Sequence, residues 1–314
     1  SIGLAYLSAN IKANGLEATT IDAIGEAIDQ ITLFKDEGYQ TRGLLIDQIL
    51  ERIPKDTDFT GISAMFSIEW PMTQKIIKAV KLQFPDIPII LGGEHATSTF
   101  TSILKTTPEV DFCILGEGEE TIIHLMNDSQ HPEKIPGIAY RENQQVRQTI
   151  RRARLKEIEK IPRPDWESIP LENYFNSKYS WTPTFNPNAR NMVILATRGC
   201  PYECTFCSNP EMWTTKYNVR PAEDVIDELI HYMKEYKITG FDFCDLTAVF
   251  HKKWIIEFTT LLIEKDLKLT WAPPVGTRSE VFSAEVVRLM KKSGCSYINF
   301  SPESGSPEIL KKIK

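Results

Sequence analysis

The chain has 314 residues, room for about two domains of ~100–200 residues each. Its 42% hydrophobic and 25% charged residues match globular averages and exclude disorder, collagen or coiled coil as the main state. Lys plus Arg is 36 and Asp plus Glu is 42, a net charge of −6, so an acidic chain with no basic run is a poor match to nucleic acid, whose phosphates demand neutralisation.

Leu4, Leu7, Ile11 and Leu16 recur at helical spacing, and residues 18–22 read as a strand. An amphipathic stretch at 44–53 precedes a buried strand at 59–66. A helix over 72–84 is stopped by Pro85. Strands at 87–91 and 110–115 run into Gly92-Gly93 and Gly116-Glu117-Gly118, and a helix follows at 119–126. Short apolar strands separated by helices predict a doubly wound α/β sheet, largely parallel, whose ligands sit at the carboxyl ends of the strands. The strand that opens such a sheet is missing before Leu4, and Ser1 is not an initiator Met, so the chain is expected to be cut at its start. No apolar stretch approaches the ~20 residues of a membrane-spanning helix.

Residues 128–190 change character: a small hairpin over 137–149, a charge run from Arg151 to Arg154 that reads as a solvated face, and a linker marked by Pro162, Pro164, Pro170, Pro183 and Pro187. From 191 a second series begins. Strands are predicted at 192–197, 240–245, 269–272 and 297–301, with helices at 222–236, 252–265 and 283–293 between them, ending at Lys314. The organisation expected is therefore a domain at 1–127, a hairpin and linker at 128–190, and a partial (β/α) barrel at 191–314, truncated at both ends of the chain.

The six cysteines are too few for a disulfide scaffold, and three lie within eight residues, which points to a reducing, cytoplasmic compartment and to ligands. They stand in Gly199-Cys200-Pro201-Tyr202-Glu203-Cys204-Thr205-Phe206-Cys207. Three thiolates on one loop can surround one face of a four-iron cubane and leave the fourth iron open to an external ligand. The loop follows the strand that opens the second series, at the end where (β/α) barrels do chemistry. Phe206 is placed to pack over the cluster. Structural zinc wants four ligands in two pairs, and no second pair exists, since Cys244 and Cys295 are single.

Cys-x3-Cys-x2-Cys with an aromatic before the last cysteine resembles the radical S-adenosylmethionine (SAM) superfamily over residues 190–314. The resemblance implies a [4Fe–4S] cluster on Cys200, Cys204 and Cys207, with SAM on the open iron. It also implies a small-molecule substrate and an electron donor such as a flavodoxin or ferredoxin. In such proteins the end of the second strand, here Asp245-Leu246-Thr247, lies near the methionyl end of SAM. Arg278 after the third strand suits the SAM carboxylate, and Glu303 after the fourth suits its ribose and amine. Loop capping is an equal alternative for Arg278 and Glu303.

The N-terminal domain preceding that series resembles the cobalamin-binding subclass of the same superfamily. The matching segments are Leu4 to Leu7 with Asn14-Gly15, Leu91 to Thr97, and Leu115 to Glu120. Gly92, Gly93, Gly116 and Gly118 let backbone approach a flat ligand closely, with Ser63, Met65 and Ser67 beside that crevice. His95 is a contact to the ligand's nucleotide tail or a turn histidine bound to backbone. Glu117 is open between ligand contact and structure, while Glu119 and Glu120 suit a helix N-terminus. The Asp-x-His-x-x-Gly motif that supplies a lower axial histidine is absent. The resemblance implies a cobalamin-dependent radical SAM enzyme, foremost a methyltransferase acting on an unactivated carbon. A cyclase or rearrangement enzyme with the same cofactors is the alternative, followed by a non-catalytic corrinoid sensor.

Overall fold

Alternation along three short strands builds the first half of the chain. In β4 (Ile89–Gly92), Ile89 and Leu91 face one core and Ile90 the other. In β5 (Phe112–Ile114), Cys113 faces the first core and Ile114 the second. A strand buried on both faces needs a helical layer on each side. Helices α4 (Trp70–Gln83) and α5 (Glu94–Thr106) supply one layer through Ile77, Val80, Ile103 and Leu104. Helices α1 (Ile2–Ala13) and α6 (Glu119–Asn127) supply the other through Ile11, Ile122 and Leu125.

The sheet has the order β3-β4-β5-β6-β7, where β3 is Thr60–Ser63, β6 is Ile138–Glu142 and β7 is Gln145–Gln148. The first three strands are parallel and the last two antiparallel. The hairpin read as a separate piece at 128–190 thus completes this sheet, Ala139 opposite Cys113. The computed structural model describes residues 2–177, 188–247, 249, 251–277 and 279–313. These divide into two units, the chain up to Leu155 with Ile161–Tyr174, and Lys156–Lys160 with the chain from Phe175 on.

Two expectations for the first unit fail. Residues 18–22 form no strand; Asp22 instead caps α2 (Ala23–Glu26), its Oδ1 accepting from Gly25 N at 3.2 Å. A hairpin of β1 (Ile31–Phe34) and β2 (Tyr39–Arg42) follows, and of the amphipathic stretch only α3 (Ile46–Leu50) is helical. The 151–154 charge run is not a solvated face either. Arg154 is buried against Glu117 at 3.0 Å, and Arg152 pairs with Glu120 at 3.1 Å.

In the second unit, after α7 (Leu171–Asn176), strands β8 (Asn191–Ile194), β11 (Gly240–Phe243) and β12 (Thr270–Ala272) form a parallel sheet with β11 central. Its core is aromatic. Phe241 and Phe243, two apart and so on one face, pack on Phe258 and Trp271 with ring centroids 5.3–6.1 Å apart. Phe258 and Trp254 come from α10 (Lys252–Glu264), which packs beside α9 (Ala222–Glu235) and α11 (Ala284–Lys292). A short ribbon of β9 (Thr197–Arg198) and β10 (Asn218–Val219) flanks the cysteine loop, as does α8 (Asn209–Trp213). The fourth strand expected at 297–301 forms no ladder; the chain there runs beside β12 through two isolated parallel bridges, Trp271–Cys295 and Thr277–Phe300, before α12 (Pro307–Ile313). Among the described residues no helix is long and apolar enough to cross a membrane.

Candidate cofactor-binding sites

Because β3, β4 and β5 are parallel, their carboxyl ends share one edge of the first unit's sheet, and Ser63, Gly92, Gly93 and Gly116 lie along it. Gly93 has φ +108°, and a Cβ there would stand 2.5 Å from the Ala64 carbonyl oxygen and 3.0 Å from Met65 Sδ. This close approach lets His95 N donate to Ala64 O at 3.1 Å, while Ala64 N donates to Gly92 O at 2.7 Å. Gly92 itself faces open space, with nothing within 4 Å of an added Cβ. Gly116, at φ +81°, donates its N–H to Thr97 Oγ1 at 3.0 Å. Gly118 serves packing: a Cβ there would meet Leu7 at 3.4 Å.

His95 is buried and bonded through both ring nitrogens, Nδ1 to Ser67 Oγ at 2.9 Å and Nε2 to Thr99 Oγ1 at 3.3 Å. Its ring lies 4.8 Å from that of Trp70. Burial lowers its pKa below the ordinary histidine value, which favours the neutral ring. Met65, Phe66 and Ile68 form an exposed apolar turn beside this edge, Ile68 at 90%. Glu117 points elsewhere: Oε2 accepts from Leu155 N at 2.9 Å and pairs with buried Arg154, so its carboxylate ties down the strap at 154–155.

In the second unit the cysteine loop leaves β9 at Gly199, which has φ +91°. Cys200 and Cys204 are half-buried, Cys207 is exposed, and none is in a disulfide. Cys207 N donates to Cys204 O at 3.0 Å and Asn209 N approaches Cys207 Sγ at 3.5 Å. Asn209 Nδ2 donates to Cys200 O at 3.1 Å, and Thr247 Oγ1 lies 3.6 Å from Cys200 Sγ. Tyr217 OH donates to Thr247 O at 2.6 Å. Phe206 is exposed on the loop. Among the described residues no three Cys, His, Asp or Glu side chains converge as a metal-holding group. Metal binding would require the three thiols to give up their protons. The donor set, three free thiols with N–H and O–H groups aimed at two of them, suits an iron–sulfur cluster.

Asp245 lies two residues past the end of β11 and is 1% exposed. Its Oδ1 accepts from Ala196 N at 3.0 Å, from Thr197 N and from Thr197 Oγ1 at 2.6 Å. Burial pushes its carboxyl up to about 7 against the pull of those donors. An unfolded chain loses that proton near ~4, so the folded state holds more protons between ~4 and ~7 and loses stability as pH rises through that window. Thermal midpoints of the metal-free protein should therefore fall, relative to Asp245→Asn, as pH rises from about 4 to about 7; parallel curves for the two proteins would refute the assignment. Arg278 lies outside the described residues. Glu303 is exposed on the segment leading to α12. Sequence reasoning missed Thr97, Thr99 and Trp70 in the first unit and Thr197, Tyr217 and Asn209 in the second. Thr97, at the end of the matching segment Leu91 to Thr97, and Thr197 and Asn209, adjoining the cysteine loop, had some signal; Thr99, Trp70 and Tyr217 had none.

Parallel sheets with glycine turns at their carboxyl edge in one unit, and a three-cysteine loop at that edge in the other, define a two-cofactor α/β protein. Residues 1–126 match the B12 binding domain and residues 194–314 the Radical SAM superfamily, and the chain belongs to the cobalamin-binding radical SAM family. A B12-binding domain takes cobalamin, and a radical SAM domain takes a [4Fe–4S] cluster and SAM. The chain is 28% identical to an uncharacterized methyltransferase of Pyrococcus horikoshii, over 99% of this chain and 62% of that protein. It is 26% identical to the anaerobic magnesium-protoporphyrin IX monomethyl ester cyclase of Rubrivivax gelatinosus, over 96% of this chain and 51% of that one. Its fold matches the radical SAM methyltransferase TsrM of Kitasatospora setae with a TM-score of 0.73 at 16% identity, over 98% of this chain and 57% of TsrM. The chain thus spans between about half and three fifths of the length of these relatives.

Proposed function

We propose that this chain carries the cofactor-binding part of a cobalamin-dependent radical SAM methyltransferase that acts on an unactivated carbon of a small molecule. The observation that carries the reading is the cysteine loop at the carboxyl edge of a parallel βα sheet, in a chain whose preceding domain matches B12-binding proteins. Cys200, Cys204 and Cys207 would hold the cluster, and the edge from Ser63 through Gly93 to Gly116 would receive the corrinoid. When bound, these groups supply a carbon-centred radical from SAM and a carrier for its methyl group. The protein's own work is then placement: the glycine turns keep side chains out of the crevice, and the apolar turn at Met65 to Ile68 offers a flat ligand a dry surface. His95, with both nitrogens bonded to hydroxyls, is a fixed wall of that crevice rather than a free metal ligand. Arg278 and Glu303 are proposed as SAM contacts. A flavodoxin or ferredoxin would deliver electrons, in the cytoplasm.

A second reading keeps both cofactors and replaces methyl transfer by ring closure; the similarity to the Rubrivivax cyclase supports it. Anaerobic reconstitution is expected to load about four irons per chain, and Cys200→Ala/Cys204→Ala/Cys207→Ala is expected to load almost none. Under reducing conditions the loaded protein should cleave SAM to 5′-deoxyadenosine, and label from methyl-labelled SAM should appear in the corrinoid fraction. Cleavage without label transfer would favour the cyclase reading, and corrinoid binding without iron would leave only a sensor.

A further inference from the structure

We infer that Asp245 is a positioning residue, whose carboxylate fastens the root of the cysteine loop to the central strand of the second unit and makes no contact with SAM. The inference rests on the reading of that loop as a cluster site and adds which residue sets its origin. The ladder between β8 and β11 closes at Cys244 N, which donates to Ile194 O at 2.9 Å. Past that rung β8 bends away, and the next amides, Ala196 and Thr197, have left the strand that could have paired them. Buried amides without acceptors are costly. Asp245 Oδ1 replaces the missing strand, accepting both amides and the Thr197 hydroxyl.

The carbonyls of the same bend are met from the other side. Arg220 Nη1 donates to Leu195 O and Arg220 N to Ala196 O, both at 2.8 Å. Residues 195–197 are thereby held on both edges, three residues before the first thiol. Oδ1 is engaged three times, and Oδ2, which has no hydrogen-bond partner among the described residues, is sealed beneath the surface of a residue 1% exposed, so Asp245 presents no accessible atom to a ligand in the crevice. The two residues that follow carry the contact outward: Thr247 reaches the Cys200 sulfur from the same strand end.

The test compares wild type, Asp245→Asn, Asp245→Ala and Thr197→Val in the full chain. It reads iron per chain after anaerobic reconstitution, the electron paramagnetic resonance of the reduced cluster with and without SAM, and SAM affinity. An amide oxygen can take over the three donors, so Asp245→Asn should load iron as wild type and bind SAM within about threefold. Asp245→Ala should load less than a quarter of the wild-type iron. Thr197→Val, which removes one donor, should lose its cluster to a chelator at least threefold faster than wild type, and it decides the matter if Asp245→Ala does not fold. A tenfold loss of SAM affinity in Asp245→Asn with normal iron would overturn the inference and make Asp245 a ligand contact. Wild-type loading and chelator resistance in every variant that folds would overturn it too. Failure of wild type itself to take up iron would instead refute the cluster reading.

Discussion

Replacing Arg220 by Ala is expected to destabilise the second unit by about 3–5 kcal/mol, the range seen when one partner of a buried ion pair is removed. Arg220 is 5% exposed and has its guanidinium bonded on every side. Nε and Nη2 reach Asp224 at 2.7 and 2.6 Å, Nη1 reaches Glu228 at 2.5 Å, and Nη1 also donates to Leu195 O. Its own carbonyl accepts Trp254 Nε1 at 2.7 Å, so one residue joins β10, α9, α10 and the bend before the cysteine loop. Alanine would leave Glu228, itself 1% exposed, as a buried charge whose remaining partner is the Tyr232 hydroxyl at 2.5 Å. The expected readout is a fall of roughly 10 °C in the thermal midpoint of the second unit, with that of the first unit unchanged. Arg220→Met combined with Glu228→Leu should recover most of the loss, because apolar groups of similar volume carry no desolvation penalty. A loss below about 1 kcal/mol for Arg220→Ala would show the pair to be solvated.

The second large effect is expected at Gly93. Its backbone, at φ +108° and ψ −179°, lies in a region that glycine alone occupies readily, and a Cβ would meet the Ala64 carbonyl at 2.5 Å. Both the strain and a backbone clash must be relieved, at a cost of about 3 kcal/mol or more. Gly93→Ala should therefore lower the first unit's stability and break the His95 N to Ala64 O bond that shapes the crevice. Gly92→Ala is the control, since its Cβ enters empty space. It should leave stability nearly unchanged and, if the corrinoid lies on this edge, weaken corrinoid binding by intruding on the ligand. Equal stability of the two variants would sink the assignment of strain to Gly93, and unchanged corrinoid affinity in Gly92→Ala would move the ligand elsewhere.

What could be read from the chain depended on how local the cause was. Helices α4, α9, α10 and α11 follow from apolar periodicity, and β4 and β5 from continuous apolar runs. Helix α5 carries no such local signal: His95, Thr97, Ser98, Thr99 and Thr101 are weak helix formers, and packing of Ala96, Ile103 and Leu104 on the sheet stabilises the helix. The strand expected at 18–22 failed for the converse reason, since its alternating residues found no neighbouring strand to pair with and Asp22 was drawn into a cap. The stretch at 297–301 makes one isolated bridge, Phe300 to Thr277, and joins no ladder.

The amino-acid order alone determined the two α/β halves and the thiol triplet, because periodicity and ligand spacing are properties of neighbours along the chain. Only the folded arrangement decided what the polar residues do. Glu117 is bound to Arg154, His95 is locked between two hydroxyls, and Asp245 serves amides 48 and 49 positions away. Those roles arise from which buried donors and acceptors the strand ends leave unpaired, and that is settled when the sheets assemble.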